Sequence, residues 1–113
     1  MKIKTVSESF DNCPEIHFGT LKSFTNICPV TKLSESVTVE VWYTPSVQKD
    51  KYTLIEIGSF REFCANGFNC HVEKICDTIF NEILSLVNPE KLIVKVYLND
   101  LRLTNWDCCM TRE

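Results

Sequence analysis

The sequence contains little glycine or proline and no long apolar segment. Three glycines and four prolines among 113 residues, with 44% apolar and 24% charged residues, exclude collagen-like and low-complexity chains and predict one globular domain. Apolar runs such as Leu92-Ile93-Val94 are far shorter than the roughly 20 residues that span a bilayer. The N-terminus, Met1-Lys2-Ile3-Lys4, lacks the apolar middle region of a secretory signal, so we expect a cytoplasmic protein without a membrane segment.

An excess of positive charge is also missing. The net charge is −3 and the isoelectric point is near 5.4, so the protein has no overall field that attracts nucleic acid. Lys91, Lys95 and Arg102 could form a local basic face, although scattered lysines on strands are usually solvated side chains. An RNA contact would therefore have to be local.

Cysteine, by contrast, is abundant. The seven cysteines are an odd number and no secretory signal is present, so a framework of intrachain disulfides is disfavoured. A zinc site on Cys64, Cys70, His71 and Cys76 is a weaker alternative, because the gaps between these cysteines are wider than those of zinc-binding pairs. On the other interpretation, Cys64, Cys70 and Cys76 are small core residues.

Two strands are predicted in the first half of the chain. Residues 37–43 alternate apolar and polar side chains and include β-branched residues, which is typical of a half-buried strand. Residues 52–57 form a second apolar run after the turn residues 44–51. We expect these strands to pair as a long hairpin. Ser59 would cap a short helix that follows and is broken at Ala65-Asn66-Gly67.

One long helix is predicted in the second half. Apolar residues recur at spacings of three and four from Val72 to Val87, with Asn69 as the expected N-cap and Asn88-Pro89 as the stop. This arrangement puts His71 and Glu73 in the first turn, where an acidic side chain complements the helix dipole.

The remaining segments complete an α+β domain. Residues 91–98 and 101–106, joined by the turn Asn99-Asp100, read as a second hairpin. Residues 1–20 read as an irregular N-terminal arm with one short strand, and residues 21–113 as the domain. Strands, helices and strands in this order favour an antiparallel sheet with helices packed on one face.

A specific motif lies in Thr25-Asn26-Ile27-Cys28-Pro29-Val30-Thr31. Cys-Pro-x-Thr follows a short strand, and an acid, Glu35, comes seven residues after the cysteine. This pattern resembles the QueF family, whose enzymes process the nitrile of 7-cyano-7-deazaguanine. The resemblance covers roughly residues 20 to 98. It implies the tunnelling fold (T-fold), in which four-stranded antiparallel sheets of several subunits join into a barrel, with active sites between subunits and two pentamers forming a homodecamer.

The resemblance also implies catalytic roles. Cys28 would add to the nitrile carbon as a thiolate and form a covalent thioimidate, while an acid protonates the nitrogen. Free cysteine has a pKa of about 8.5, so Cys28 needs a polar or electropositive environment. Glu35 stands where the family typically has aspartate, and the longer side chain can transfer the same proton.

Substrate-binding roles follow from the same resemblance. Glu73 would accept two hydrogen bonds from the edge of the deazapurine, with His71 beside it. The order here is His71-Val72-Glu73, whereas the family usually has His directly before this Glu. Glu56 and Ser59 are the further substrate-binding candidates. Cys76, on the same helix as Glu73, could approach Cys28 in an assembled site and form a protective disulfide.

Two branches of the family are candidates for the reaction. Reductase members carry a lysine-rich stretch that binds NADPH, but here one lysine is replaced by Gly58 and the other by Arg61, and no glycine-rich dinucleotide motif occurs elsewhere. The QueF-like amidinotransferases of archaea are similarly short, and use ammonia without a redox cofactor to convert the nitrile in tRNA to the formamidine of archaeosine. We therefore favour this branch over the NADPH-dependent reductase. A non-catalytic module that binds a deazapurine or pterin is the further alternative.

Overall fold

A computed structural model describes residues 2–20, 22–99 and 106–113. Its elements are antiparallel strands and two helices, so the predicted α+β class is confirmed. In chain order they are β1 (Thr5–Glu8), β2 (Ile16–Gly19), β3 (Phe24–Ile27), β4 (Ser34–Thr44), β5 (Val47–Gln48), β6 (Lys51–Ile55), α1 (Ile57–Ala65), α2 (Val72–Val87), β7 (Lys91–Leu98) and β8 (Asp107–Arg112).

The strand β4 is the centre of the main sheet. Both of its edges are hydrogen-bonded: β3 and β2 follow one another along one edge, and β7 pairs along the other, with β8 beyond it. The sheet is therefore four strands wide, with one edge strand in two pieces. The strand predicted at residues 37–43 is confirmed and is longer at both ends.

One face of this sheet forms the core. Along β4, Val37, Val39 and Val41 are fully buried, and they pack with the buried face of α2. Phe60 of α1 meets Phe18 of β2 edge to face, with ring centroids 4.8 Å apart, so both helices cover the same side. Burying an aliphatic side chain of this size contributes about 1.5–3 kcal/mol, which makes this layer the main source of stability.

A second, smaller sheet contains β1, β6 and β5. The predicted long hairpin between residues 37–43 and 52–57 is therefore wrong, because β6 pairs with β1 and β5 and not with β4. The chain turns instead at Lys49 and Asp50, which both have positive φ and join β5 to β6 in a tight hairpin. The two sheets touch where the Ile55 amide donates a hydrogen bond of 3.0 Å to the Tyr43 hydroxyl.

The helix starts differ from the prediction. Glu56 caps α1, because its carboxylate accepts hydrogen bonds from the amides of Gly58 and Ser59; Ser59 is a residue within the helix and not its cap. The N-cap of α2 is His71 and not Asn69, although Glu73 does lie in the first turn as expected. The predicted stop is confirmed, since Asn88 is left-handed, with φ of 46°.

The two ends of the chain also differ in detail. The predicted arm, residues 1–20, contains two strands, β1 and β2, which pair with β6 and β4. Strand β7 matches the predicted 91–98, and it pairs with β8 at 107–112. The strand predicted at 101–106 lies almost entirely outside the described residues. Residues 100–105, with the predicted turn residue Asp100 and with Arg102, lie outside the described residues. Neither helix in the described ranges is long and apolar enough to cross a membrane.

Gly67 provides a test of the loop between α1 and α2, which lies against β3. Its φ is +75°, and an added Cβ would lie 3.0 Å from the Thr25 carbonyl oxygen. We expect Gly67→Ala to lower the free energy of unfolding by about 1–3 kcal/mol in urea denaturation, because an alanine is strained in this conformation. The control is Asn66→Ala, at a position with right-handed helical geometry. Equal effects of the two substitutions would contradict the strain.

Candidate active site

Cys28 begins the loop that joins β3 to β4. Its amide donates a hydrogen bond of 3.0 Å to the Leu33 carbonyl, and its own carbonyl accepts one of 2.9 Å from the Lys32 amide. Lys32 has a positive φ of 63°, which lets the loop close over so few residues. The backbone of Cys28 is thereby fixed, while its side chain remains partly exposed at the end of the sheet.

The loop carries donors that favour the thiolate of Cys28. The pKa of the Cys28 thiol is lowered by hydrogen bonds from the Thr31 amide, from the Thr31 hydroxyl and from the Val30 amide. The Thr31 oxygen also accepts a bond of 3.3 Å from the Leu33 amide, which leaves the hydroxyl proton for the sulfur. Because these donors favour the anion, the Cys-Pro-x-Thr sequence forms a small anion-binding loop around the thiolate.

The buried cysteines have the opposite character. Burial raises the pKa of Cys64 to about 12, and that of Cys76 to about 12, and it also raises the pKa of Cys70. These thiols remain protonated at neutral pH and do not act as nucleophiles. Cys64 and Cys76 are core residues, as one of the two interpretations of the sequence proposed.

Glu35 lies on the same hairpin as Cys28. It is the register partner of Asn26 across β3 and β4, so the two side chains share the helix-covered face of the sheet. Its charge raises the pKa of Cys28, but the hydrogen bonds of the loop outweigh it. The candidate acid is thus within electrostatic reach of the candidate nucleophile.

Asn26 is a functional candidate that the sequence did not reveal. It is fully buried, and its side-chain amide donates a bond of 2.8 Å to Glu35 Oε1 and one of 2.7 Å to the Cys70 carbonyl. Its Oδ1 accepts a bond of 3.3 Å from the Cys70 amide. The only sequence signal is its spacing from Phe24, which puts an amide on the buried face of a strand.

His71 and Glu73 are exposed at the start of α2. The His71 carbonyl accepts hydrogen bonds from the amides of Lys74 and Ile75, while its ring makes no capping bond. Since Asn26 holds the adjacent Cys70, the structure brings this segment to the same end of the sheet as Glu35. Both side chains remain available to a ligand.

Glu56 and Ser59 have different surroundings. The Glu56 carboxylate is used by the first turn of α1, and the Ser59 hydroxyl donates to the Glu56 carbonyl at 2.7 Å. The same hydroxyl accepts a bond of 2.8 Å from the Lys4 amide, which ties the N-terminal segment to α1. These two candidates therefore hold the helix start, and their hydrogen bonds connect to neither Cys28 nor Glu35.

The helix-free face of the sheet carries a separate polar cluster. His17 stacks on Trp42 with ring centroids 4.4 Å apart, and Lys95 lies 5.7 Å from the centroid of the Trp42 ring. A concavity of about 440 Å³ here is lined in part by Lys91, Lys95, His17 and Trp42. Two lysines of the expected basic face thus share one surface, on the other side of the sheet from Glu35.

Two alternatives from the sequence are not supported. Among residues 2–20, 22–99 and 106–113, no three potential ligands form a metal-binding group, so the proposed zinc cluster of Cys64, Cys70, His71 and Cys76 is wrong. The Cys76 thiol is buried and lies against the carbonyls of Val94 and Cys108 at 3.5 and 3.6 Å. A disulfide between Cys28 and Cys76 therefore finds no support in the fold.

The comparisons with known proteins identify the fold. The structure matches the crystal structure of the archaeosine synthase QueF-Like in the apo form, with a TM-score of 0.70, 17% sequence identity, and coverage of 86% of this chain and 91% of that one. The chain has the QueF-like fold. The predicted fold of the single chain, a four-stranded antiparallel sheet with helices on one face, is thereby confirmed. No protein-family model matches the sequence, and no curated protein matches it.

Thr31 tests the electrostatics of the QueF-like hairpin loop. Thr31→Val removes the hydroxyl donor, so we expect the pH midpoint for alkylation of Cys28 by iodoacetamide to rise and the rate at neutral pH to fall severalfold. Mass mapping of the Cys28 peptide separates it from the exposed Cys13 and Cys109. Thr31→Ser, which retains the hydroxyl, should behave like the unchanged protein; an equal loss in both variants would show that the hydroxyl is not responsible.

Proposed function

We propose that this chain is a nitrile-processing amidinotransferase. It would act on 7-cyano-7-deazaguanine in tRNA and use ammonia to convert the nitrile to the formamidine of archaeosine, through a thioimidate on Cys28. The observation that carries the proposal is the Cys28 thiol, whose pKa is lowered by the amides and hydroxyl of its own loop, with Glu35 nearby. The shared fold with an archaeosine synthase supports the same assignment.

The first step forms a carbon–sulfur bond. The Cys28 thiolate attacks the nitrile carbon, one π bond of the nitrile breaks, and its electron pair moves to the nitrogen. Glu35 delivers a proton to that nitrogen, which gives a neutral thioimidate. Glu35 lies near enough for its charge to raise the pKa of Cys28, which supports its assignment as the acid of this step.

The second step releases the enzyme. Ammonia adds to the thioimidate carbon and gives a tetrahedral intermediate, one of the ammonia protons is transferred to the Glu35 carboxylate, and the carbon–sulfur bond breaks with the electron pair returning to Cys28. The product is an amidine, and no electrons are exchanged with a cofactor. The same loop donors that favour the thiolate before the reaction stabilise it as a leaving group.

Recognition of the base is assigned to the start of α2. Glu73 is exposed there, and a carboxylate can accept two parallel hydrogen bonds from a ring N–H and an exocyclic amine. His71 is exposed beside it. We assign Glu56 and Ser59 to holding α1 and not to the substrate, because their polar groups already have partners within the chain.

The proposed site would be completed by a second subunit. The loop that carries Cys28 exposes two apolar side chains, Val30 at 73% and Leu33 at 55%, which a single chain leaves in water. The concavity on the helix-free face is not lined by Cys28. Assembly into a homo-oligomer, a decamer of two pentamers by the resemblance, would bury these side chains and enclose the thiol.

Position 58 favours the amidinotransferase over the reductase. By the resemblance, a lysine that binds nicotinamide nucleotide phosphate would stand there, but the residue is Gly58. A Cβ at this position would lie 3.0 and 3.2 Å from the two carboxylate oxygens of Glu56, which caps the helix. A longer side chain would therefore disturb the cap, and the phosphates of NADPH would lack this cation.

Covalent capture tests the nucleophile. After incubation with 7-cyano-7-deazaguanine, we expect the intact mass to rise by one nitrile molecule in the unchanged protein and in Cys13→Ala and Cys109→Ala, whose thiols are exposed. Cys28→Ala should give no adduct. Binding of the nitrile without an adduct in the unchanged protein would refute the catalytic role and favour the non-catalytic module.

Product formation tests the branch. With tRNA that carries 7-cyano-7-deazaguanine, ammonium should yield archaeosine, detected by nucleoside mass spectrometry, and Glu35→Gln should slow the reaction by about 100-fold, a typical loss for a general acid. NADPH should remain unoxidised in the presence of the free nitrile. Oxidation of NADPH coupled to nitrile consumption would overturn the amidinotransferase in favour of the reductase.

A further inference from the structure

Asn26 lies where β3, β4 and the chain before α2 meet, and both the nitrogen and the oxygen of its side-chain amide form hydrogen bonds there. Its two N–H groups donate to Glu35 Oε1 at 2.8 Å and to the Cys70 carbonyl at 2.7 Å, and its oxygen accepts from the Cys70 amide at 3.3 Å. Asn26 is 0% exposed, and a buried amide without partners would be strongly unfavourable. Both N–H groups and the oxygen of the side chain thus have partners.

The orientation of this amide is determined by the backbone. The Cys70 carbonyl can only accept and the Cys70 amide can only donate, so reversing the side-chain amide would break its bonds to Cys70 and turn an oxygen toward the Glu35 carboxylate. A donor is thus always directed at Glu35. The parallel bridge between Asn26 and Phe68 holds the same loop against β3, which makes the junction rigid.

The contact with Glu35 exceeds what packing of the loop requires. The chain before α2 is also held against β3 by the two bonds to Cys70 and by backbone bonds of Phe68 to Ile27 and Thr25. Glu35 is only partly buried, so its carboxylate could be solvated by water instead. It is nevertheless held by Asn26 on the side of the sheet where its charge reaches Cys28.

We propose that Asn26 is a positioning residue, which holds the Glu35 carboxylate beside Cys28 and links it to the segment that presents His71 and Glu73. The catalytic part of this inference rests on the proposed nitrile chemistry. A glutamate side chain has several rotatable bonds, and fixing it in reach of the reacting nitrogen avoids a search at each turnover. The same amide places the recognition segment at a set distance from the acid.

A double-mutant cycle separates positioning from a general role in folding. The variants are Asn26→Ala, Glu35→Gln and the double substitution, and the measurement is the rate constant for the Cys28 adduct at saturating 7-cyano-7-deazaguanine. We expect Asn26→Ala to reduce this rate by roughly 10- to 100-fold. The double variant should be little slower than Glu35→Gln alone, because Asn26 acts through Glu35. Independent, multiplying effects would overturn the proposal.

The matched control is Asn81→Ala. Asn81 also donates from its side-chain amide to a carboxylate, Asp77 Oδ1 at 3.1 Å, but on the exposed face of α2. Its removal should leave the adduct rate unchanged. In the Asn26→Ala variant, alkylation of Cys28 by iodoacetamide, which needs a thiolate but no acid, should stay within about threefold of the unchanged protein. A parallel fall of alkylation and adduct rates would indicate only a disturbed loop.

A second measurement remains valid if the nitrile gives no adduct. Glu35 raises the pKa of Cys28, so Glu35→Gln should lower the pH midpoint of Cys28 alkylation. In the Asn26→Ala background this effect should shrink, because the carboxylate is no longer held nearby. An undiminished effect would refute positioning, whereas absence of the adduct alone would refute the proposed function and not the role of Asn26.

A nearly isosteric variant covers the case in which Asn26→Ala does not fold. Asn26→Asp turns a carboxylate toward Glu35, so adding Glu35→Gln should raise the melting temperature of this variant by restoring a donor between the two side chains. In the unchanged background, Glu35→Gln should not raise it. The same change in both backgrounds would show that the contact does not exist in solution.

Discussion

The register between β3 and β4 is the constraint on which the candidate site depends. Phe24 is opposite Val37 and Asn26 is opposite Glu35, so apolar and polar pairs follow each other on one face. A slip of β4 by one residue would place Glu35 on the opposite face of the sheet from Asn26 and would turn Val37 away from the core. Because Val37 is fully buried against the helices, the free energy of the core also fixes the position of the acid. Folding and site geometry are therefore determined by the same strand.

Within the site, short-range dipoles outweigh a nearby charge. Glu35 opposes the thiolate of Cys28, while two backbone amides and one hydroxyl within the loop favour it, and the pKa of the thiol is lowered on balance. The donors lie within three residues of Cys28 in the same loop, whereas Glu35 is partly exposed, so solvent screens its charge. A reactive thiol can thus be produced without a cationic residue, which agrees with the acidic composition of the chain.

The sequence was sufficient for features with a strong local pattern and insufficient for those that depend on distant partners. The alternation in β4 and the apolar spacing in α2 were recognised correctly, since both arise from burial of one face. The pairing of residues 37–43 with 52–57 was wrong, because Lys49 and Asp50 turn the chain without the glycine that usually marks such hairpins. At α1, the longer Glu56 side chain caps the helix start in preference to Ser59.

The contrast between local patterns and distant partners also applies to the candidate site. The motif predicted Cys28 and Glu35 as candidates, but the direction of the Val30 and Thr31 amides comes from the closed loop and has no signature in residue types. Asn26 reads as an ordinary polar residue until Cys70, 44 positions away, is placed beside it. The contact with Asn26 also gives a physical account of glutamate at position 35. A glutamate side chain has one more rotatable bond than the aspartate expected from the QueF resemblance. Fixing it in one conformation therefore costs more side-chain conformational entropy. The hydrogen bond from Asn26 restrains the glutamate side chain. An aspartate, which is shorter, would need less restraint.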